Sequence, residues 1–487
     1  MNNLEAISPI PPTPVSEVAS WETESDVVVV GYGCAGASAA IGAMEGGASV
    51  TILERAGAGG GASAMAGGEI YMGGGTPIQK ACGFDDTPQA MFDFLMAATG
   101  PSPNEEKLSV YCDRSVEHFH WLVECGVTFK PSFYATPCWE PPTDDGLVYT
   151  GGENAWPFSD LVPPAPRGHV PQIQNKRLLE RSGGWELMRH LSATVDKGGA
   201  AVRPDTRVRS LIVDDGKVVG VIGRSFGQDF AIRARHGVVL ASGGFAANKD
   251  MVAHHVPAIA GQMALGTDGD DGTSIRLGQG VGAMVAHLDA AEAALPSNPP
   301  LVYPSLLVNQ FGQRFINEDT YCGRIGQMAV FHQQGRCSLV LDEAIFESVP
   351  EAERWGARPT YVAATLAELE EEMSLPTGSL QATVETYNRF AREGHDPMFH
   401  KRQEYLRPLE APFGGIPLDG PYATFTLGGM VTTIDGEVRG ANGSPIPGLY
   451  AAGRATWGIP SWGYASGTSL GDGTFFGRRA GRAAARS

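Results

Sequence analysis

The chain has 487 residues, 43% of them hydrophobic, and a formal net charge of −18. This length suits two domains with well-buried interiors, and the acidity disfavours nucleic acid and anionic membrane as partners. No apolar stretch approaches transmembrane length, no signal-type apolar region follows Met1, and seven cysteines without Cys-x-x-Cys spacing point to a reducing cytoplasm rather than to disulfides or zinc.

Residues 1–23, with Pro11, Pro12 and Pro14 among Ser and Glu, are expected to form a mobile lead-in. Val27 to Val30 is a β-branched apolar run that reads as a buried parallel strand. Gly31, Gly33 and Gly36 complete a G-x-G-x-x-G turn, and an Ala-rich helix follows. The first glycine makes the tight turn, the second admits a pyrophosphate to the backbone, and the third lets helix and strand pack closely. The helix start, which includes Cys34 and Ala35, offers N–H groups and a positive dipole end to phosphates. A second strand, Ser49 to Leu53, ends in Glu54, placed to bind a ribose diol. Strand, turn, helix, strand and acid in this order specify an adenine dinucleotide. A carboxylate at the ribose repels a 2′-phosphate and argues against NADP.

Arg55 and a second backbone-exposing loop, Gly60-Gly61-Ala62-Ser63, come next; nicotinamide dehydrogenases do not normally need such a loop. His118 with His120 and the pair His254-His255 are the only histidine clusters, and neither has an acidic or Cys partner at ligand spacing, so no metal is expected. Pro131–Pro171 is rich in Pro, Gly and aromatics. It reads either as a functional loop or as a surface excursion, and its Trp139, Trp156 and Phe158 would suit an apolar mouth. Asp214-Asp215-Gly216-Lys217 marks a hairpin within Val208–Val221. Val238 to Phe245 and Gly448 to Gly453 are further apolar strands that run into or end in glycine. In Ser379–Arg392, Leu380, Val384, Tyr387 and Phe390 recur at helical steps and mark one buried face. Ser469 followed by Asp472 resembles a capping box that opens the last helix.

These motifs, with Asp270-Asp271-Gly272, Gln313 to Glu318, Leu427-Gly428-Gly429 and Phe476 to Gly481, resemble the flavoprotein family of fumarate reductase and succinate dehydrogenase. The resemblance covers nearly the whole chain. It implies an α/β fold: a Rossmann-like FAD-binding domain of the glutathione reductase type, with an inserted α+β substrate-binding cap. The expected boundaries are 24–284 and 427–487 for the FAD domain and 285–426 for the cap. FAD is implied, held by Gly31, Gly33, Cys34, Ala35, Gly36, Glu54, Arg55, Gly61, Ala62, Ser63, Gly67, Gly68, Val208, Ala241, Ser242, Gly243, Gly453, Arg454, Ser469 and Leu470. Some members attach FAD through a histidine, but the segment from Glu54 to Ser63 and beyond has none, so non-covalent FAD is expected. Arg454 stands where many members carry an acidic residue. In the family the last helix points its N-terminus at the flavin pyrimidine, where its dipole favours negative charge.

The loop before that helix departs from the dicarboxylate reductases, whose arginine there clamps a carboxylate; the matching position here is Tyr464. A phenol cannot replace a charged planar fork, but it suits a ketone oxygen. Arg324 remains nearby in sequence. Gly463 to Gly473, with Asn317-Glu318-Asp319-Thr320-Tyr321 upstream, resembles the 3-ketosteroid Δ4-(5α)-dehydrogenases. The related Δ1-dehydrogenases carry a Tyr-Pro-Gly type loop, which Ala465-Ser466 does not match. The resemblance implies that Tyr321, Tyr464 and Ser466 form the active site, the substrate being an apolar ketosteroid and the electron acceptor unidentified. Desaturating a ketone removes a proton beside the carbonyl and a hydride one carbon on. A tyrosine hydroxyl can stabilise the enolate, and a second can relieve a serine of its proton. From residue types alone, Tyr464 and Ser466 read equally as loop residues bonding to backbone. Δ1-desaturation, reduction of an unsaturated acid, and a flavin electron-transfer subunit are the competing readings. The last lacks any Fe–S or haem motif in its support.

Overall fold

Strand β1 (Thr23–Val30) buries Val27 to Val30 completely at the centre of a nine-stranded sheet. A computed structural model of the chain describes residues 4–173 and 182–487. Helix α1 (Cys34–Glu45) leads to β2 (Val50–Leu53), which pairs parallel with β1, and β3 (Ala201–Arg203) pairs parallel with β2. On the other side of β1 the chain adds β4 (Arg207–Asp214), β5 (Lys217–Ser225) and β6 (Gln228–Leu240). The β4–β5 turn has Asp215 at φ 45° and Gly216 at φ 78°, two successive left-handed residues as a twisted two-residue hairpin requires.

The second layer follows. Strand β7 (Ala291–Ala294) is antiparallel to a later strand, β12; β8 (Leu306–Asn309), helix α2 (Cys322–His332), β9 (Cys337–Asp342), β10 (Tyr361–Ala363), helix α3 (Ser379–Arg392), β11 (Phe413–Pro417) and β12 (Ala423–Thr426) come between and after. Strands β8, β9, β11 and β10 form a four-stranded sheet in that order. Helix α3 buries Leu380, Val384 and Tyr387, and Phe390 is half-buried. The core of this layer also takes in Phe245, Met251, Val252, Val256 and Ile259, so it begins upstream of the expected boundary at 285. Strand β13 (Pro445–Ala451) returns beside β6, and helix α4 (Thr468–Ala484) closes the chain against α1. Among the described residues no helix is long and apolar enough to cross a membrane.

One expectation needs correction. The lead-in is packed from residue 4 onward, and residues 1–3 lie outside the described residues. Leu4–Ile7 is helical, Arg276 donates to the Ser8 carbonyl at 2.8 Å, the Ile10 amide donates to the Arg276 carbonyl at 2.9 Å, and Thr13-Pro14 pairs with the edge strand β4. Proline lacks an N–H and is at home on such an edge. For the Pro131–Pro171 segment the sequence left functional loop and surface excursion open, and the structure divides it between a small sheet and a part that lines the central cavity. Phe133–Tyr134, Leu147–Val148 and Gly168–His169 join Ile70–Tyr71 in a small sheet. Phe158 is buried against Phe94, and Trp156 stacks on His400. Only Trp139 of the three reaches the central cavity.

Candidate active site

One cavity runs from the first glycine turn to the loop before α4, enclosing about 1830 Å³ including open solvent at its mouth. All the residues expected at the cofactor and in the chemistry line it, except Gly36 and Gly68. Those two pack backbone instead. A Cβ on Gly36 would stand 1.9 Å from the Gly31 carbonyl oxygen, and one on Gly68 would meet Gly183.

At the nucleotide end the Cys34 amide donates to Ser63 Oγ at 3.1 Å, joining the first glycine turn to the second loop. A Cβ on Gly33 would stand 3.2 Å from that same oxygen. Glu54 accepts from the Tyr32 and Ala56 amides, each at 2.8 Å, which fixes its carboxylate at the cavity wall with lone pairs to spare for hydroxyls. Arg454 donates to Asp270 at 2.7 Å, and Asp270, itself buried, accepts from the Gly244 amide. The charge of Arg454 at the cavity wall is thus neutralised by Asp270. An open backbone cradle, a helix N-terminus and a fixed carboxylate in one continuous cavity fit FAD.

The last helix begins two residues earlier than expected. Gly467, at φ 95°, is its cap, and Ser469 lies inside the first turn. A Cβ on Gly467 would stand 2.8 Å from the Tyr71 amide nitrogen, so close backbone approach, not a Ser469–Asp472 box, sets the helix start. Asp472 instead accepts from the Ile459 amide at 2.7 Å and holds the preceding loop.

That loop brings Tyr464 and Ser466 to the cavity, where Tyr321, the residue preceding α2, meets them. Tyr464 packs edge-on to Phe425 at 5.1 Å and lies 6.5 Å from the Tyr321 ring, which packs in turn against Trp139. Tyr464 Oη accepts from the Ser469 amide at 3.4 Å, leaving its own proton free to donate. Tyr321 donates to Glu292 Oε1 at 2.9 Å, leaving its oxygen free to accept. Burial pushes both phenols up, that of Tyr321 far above the usual tyrosine range with the Glu292 charge adding to it. Both stay protonated at neutral pH. The Ser466 amide donates to the Thr150 carbonyl at 3.1 Å and orients the loop.

Among the described residues the arginines lining the cavity are Arg55, Arg207 and Arg454, and each is paired with Asp271 or Asp270. Arg324 stacks over Phe158 and is not part of the lining. Sequence reasoning did not single out Tyr32, Asp270, Glu292 or Phe425 as site residues. Asp270 was in view as part of a motif. Glu292 and Phe425 carry no local signal, because they face the cavity only through the pairing of β7 with β12.

The fold and the cavity define a dinucleotide-binding flavoprotein. The chain belongs to the FAD-binding domain family, which it matches over residues 26–470, and FAD is its cofactor. Among solved structures it is similar to the 3-ketosteroid Δ4-(5α)-dehydrogenase of Rhodococcus jostii RHA1 in complex with 4-androstene-3,17-dione, with a TM-score of 0.96, 51% identity, and coverage of 98% of this chain and 100% of that one. It is 28% identical to the 3-oxo-5-alpha-steroid 4-dehydrogenase of Comamonas testosteroni, covering 90% of this chain and 94% of that protein. It is 30% identical to the NADH:acrylate oxidoreductase of Vibrio harveyi over 76% of this chain, but spans only 36% of that longer protein.

Proposed function

We infer that this protein is an FAD-dependent 3-ketosteroid Δ4-(5α)-dehydrogenase, which removes a proton from C4 and a hydride from C5 of a 3-keto-5α-steroid. One observation carries the reading. The cavity that contains the dinucleotide motifs continues to an apolar end lined by Tyr321, Tyr464 and Ser466 together with Trp139, Leu265 and Phe425. The similarity to the Rhodococcus enzyme supports it.

FAD, when bound, supplies the hydride acceptor. The chain's own residues do the rest. Tyr464 donates to the C3 ketone oxygen, and its hydrogen bond strengthens as negative charge develops there, which makes the C4 proton acidic. Ser466 takes that proton and Tyr321 carries it on. A serine is a weak base alone, so its own hydroxyl proton must leave as the new one arrives. Trp139, Leu265 and Phe425 offer apolar surface for a steroid body.

A reading against a dicarboxylate substrate is supported by the paired arginines: among the described residues, none in the cavity lining is left to clamp a carboxylate. Anaerobic 5α-androstanedione should therefore bleach the flavin absorbance. Fumarate should not reoxidise chemically reduced enzyme, and 4-androstenedione should leave the oxidised enzyme unchanged. Fumarate reduction at a comparable rate would sink the assignment, and bleaching by 4-androstenedione would favour Δ1-desaturation. The purified protein should also release its flavin on acid precipitation. Yellow colour retained in the pellet would contradict non-covalent binding.

A further inference from the structure

We propose that the C4 proton comes to rest on Glu292, a relay residue that acts through Tyr321 and does not itself touch the reacting atoms. The proposal rests on the desaturase reading above.

Glu292 is 1% exposed and lines the same cavity as Tyr321, Tyr464 and Ser466. It sits on β7 opposite Phe425 of β12. Its Oε1 accepts the Tyr321 hydroxyl at 2.9 Å, while its Oε2 is buried with no hydrogen-bond partner. Burying a carboxyl with one oxygen unanswered is costly, and a purely structural anchor for Tyr321 would not need it. The neighbouring backbone is shaped around the pair. A Cβ on Gly323 would stand 1.8 Å from Glu292 Oε1 and 2.4 Å from the Tyr321 ring, so only glycine in the first turn of α2 lets them meet as they do.

The direction of the hydrogen bonds sets the direction of transfer. Tyr321 already gives its proton toward Glu292 and has lone pairs left to receive one. Its phenol is held too far above the ordinary range to rest as phenolate, so it can accept a proton only while handing its own onward. Burial pushes the Glu292 carboxyl up to about 8, against the opposing pull of the Tyr321 hydrogen bond. It is therefore a stronger base than an ordinary carboxylate, matched to neutral pH. The titratable groups on the elements around it are few. Helix α2 carries Cys322, whose thiol burial pushes far up, Arg324, committed to the Phe158 ring, and His332, beside Trp462; Tyr321 immediately precedes it. The loop contributes Tyr464, and Arg454 is paired with Asp270. Opposite, β12 presents Thr424, Phe425 and Thr426, none of which titrates in this range.

The step balances. The C4–H bond breaks and its proton goes to Ser466, whose hydroxyl proton passes to Tyr321, whose own proton passes to Glu292, which ends as a neutral acid. The C4–H electron pair becomes the second bond of the C4–C5 double bond as the C5 hydride leaves, and FAD, when bound, would be the acceptor that balances those two electrons.

The test uses the FAD-loaded full-length protein, mixed anaerobically with 5α-androstanedione and followed by flavin absorbance in a single turnover across neutral and alkaline pH. Because only the ionised carboxylate can accept a proton, the wild-type rate should rise as pH rises through about 8. Glu292→Gln should be slower by roughly 10²-fold and lose that rise. Glu292→Asp keeps a titrating group and should recover part of both. In infrared difference spectra taken above about pH 8, where the carboxylate starts ionised, adding the steroid to wild type should produce a carboxylic-acid carbonyl band that is absent from Glu292→Gln. A glutamine variant that is slowed but keeps the pH rise, or one that keeps the wild-type rate, overturns the proposal. If that variant fails to hold FAD, the wild-type infrared band decides alone, and its absence is a refutation. A wild-type enzyme that the steroid never bleaches overturns the desaturase reading itself, and this proposal with it.

Discussion

Tyr464→Phe and Ser466→Ala should each give a folded, yellow protein whose turnover of 3-keto-5α-steroids falls by about 10²–10³-fold, the scale expected for losing one preorganised donor. Neither substitution should unfold the chain. The Tyr464 ring keeps its edge-on contact with Phe425 when only the hydroxyl is removed, and the loop at Ser466 is held by its backbone bond to Thr150. On the proposed mechanism the loss is one of chemistry: the enolate donor in one case, the first proton acceptor in the other. Tyr321→Phe should be slowed severely too, since Ser466 loses its outlet. Turnover, flavin content and circular dichroism measured together check this. Near-normal turnover by Ser466→Ala with full FAD would show that the base lies elsewhere.

The largest expected loss of stability is at Glu318. Its carboxylate, fully buried, accepts from Arg314 at 2.8 and 2.7 Å, pairs with Lys401 at 3.1 Å and accepts from the Leu307 amide at 3.1 Å. Arg314 also pairs with buried Asp396 at 2.8 Å. Burial alone would push the Glu318 carboxyl up, but Arg314 and Lys401 together hold it below the ordinary carboxylate value. Glu318→Ala strips the ammonium of Lys401 of its carboxylate inside the protein, and breaking such a buried set costs about 3–5 kcal/mol. Denaturant unfolding of the FAD-loaded protein measures it, and a loss under about 1 kcal/mol would show that the network relaxes freely. The pH dependence follows in sign: a carboxyl lowered by folding contributes stability above its ordinary value, and that stability is lost as pH falls through the lowered one. Since Tyr321 lies three residues beyond, activity should fall along with stability.

Glu318 illustrates what a motif conceals. The Gln313 to Glu318 run is legible as a family signature, yet its carboxylate never reaches the cavity. It ties the segment leading to Tyr321 to Lys401, a residue whose partner no local pattern announces. Arg454 is a similar case. Read along the chain it is a basic residue in an acidic residue's place; in space it is paired with Asp270, which neutralises it.

What the sequence by itself determined was everything encoded in short-range order. The β1 turn with its glycines and Glu54 specifies the dinucleotide, because spacing along a strand, turn and helix dictates where the backbone amides go. The hairpin at Asp215-Gly216 and the buried face of α3 are legible for the same reason: period and turn chemistry are local. The tertiary structure alone decided how the lead-in docks, where α4 truly starts, which of the three aromatics in the Pro131–Pro171 segment reaches the cavity, and that Glu292 stands behind Tyr321. Each of these depends on a contact between residues far apart in sequence, such as Ile10 with Arg276, Gly467 with Tyr71, Trp139 with Ser297 and Glu292 with Tyr321. Close approach and burial arise only when the layers pack, and no window on the chain contains them.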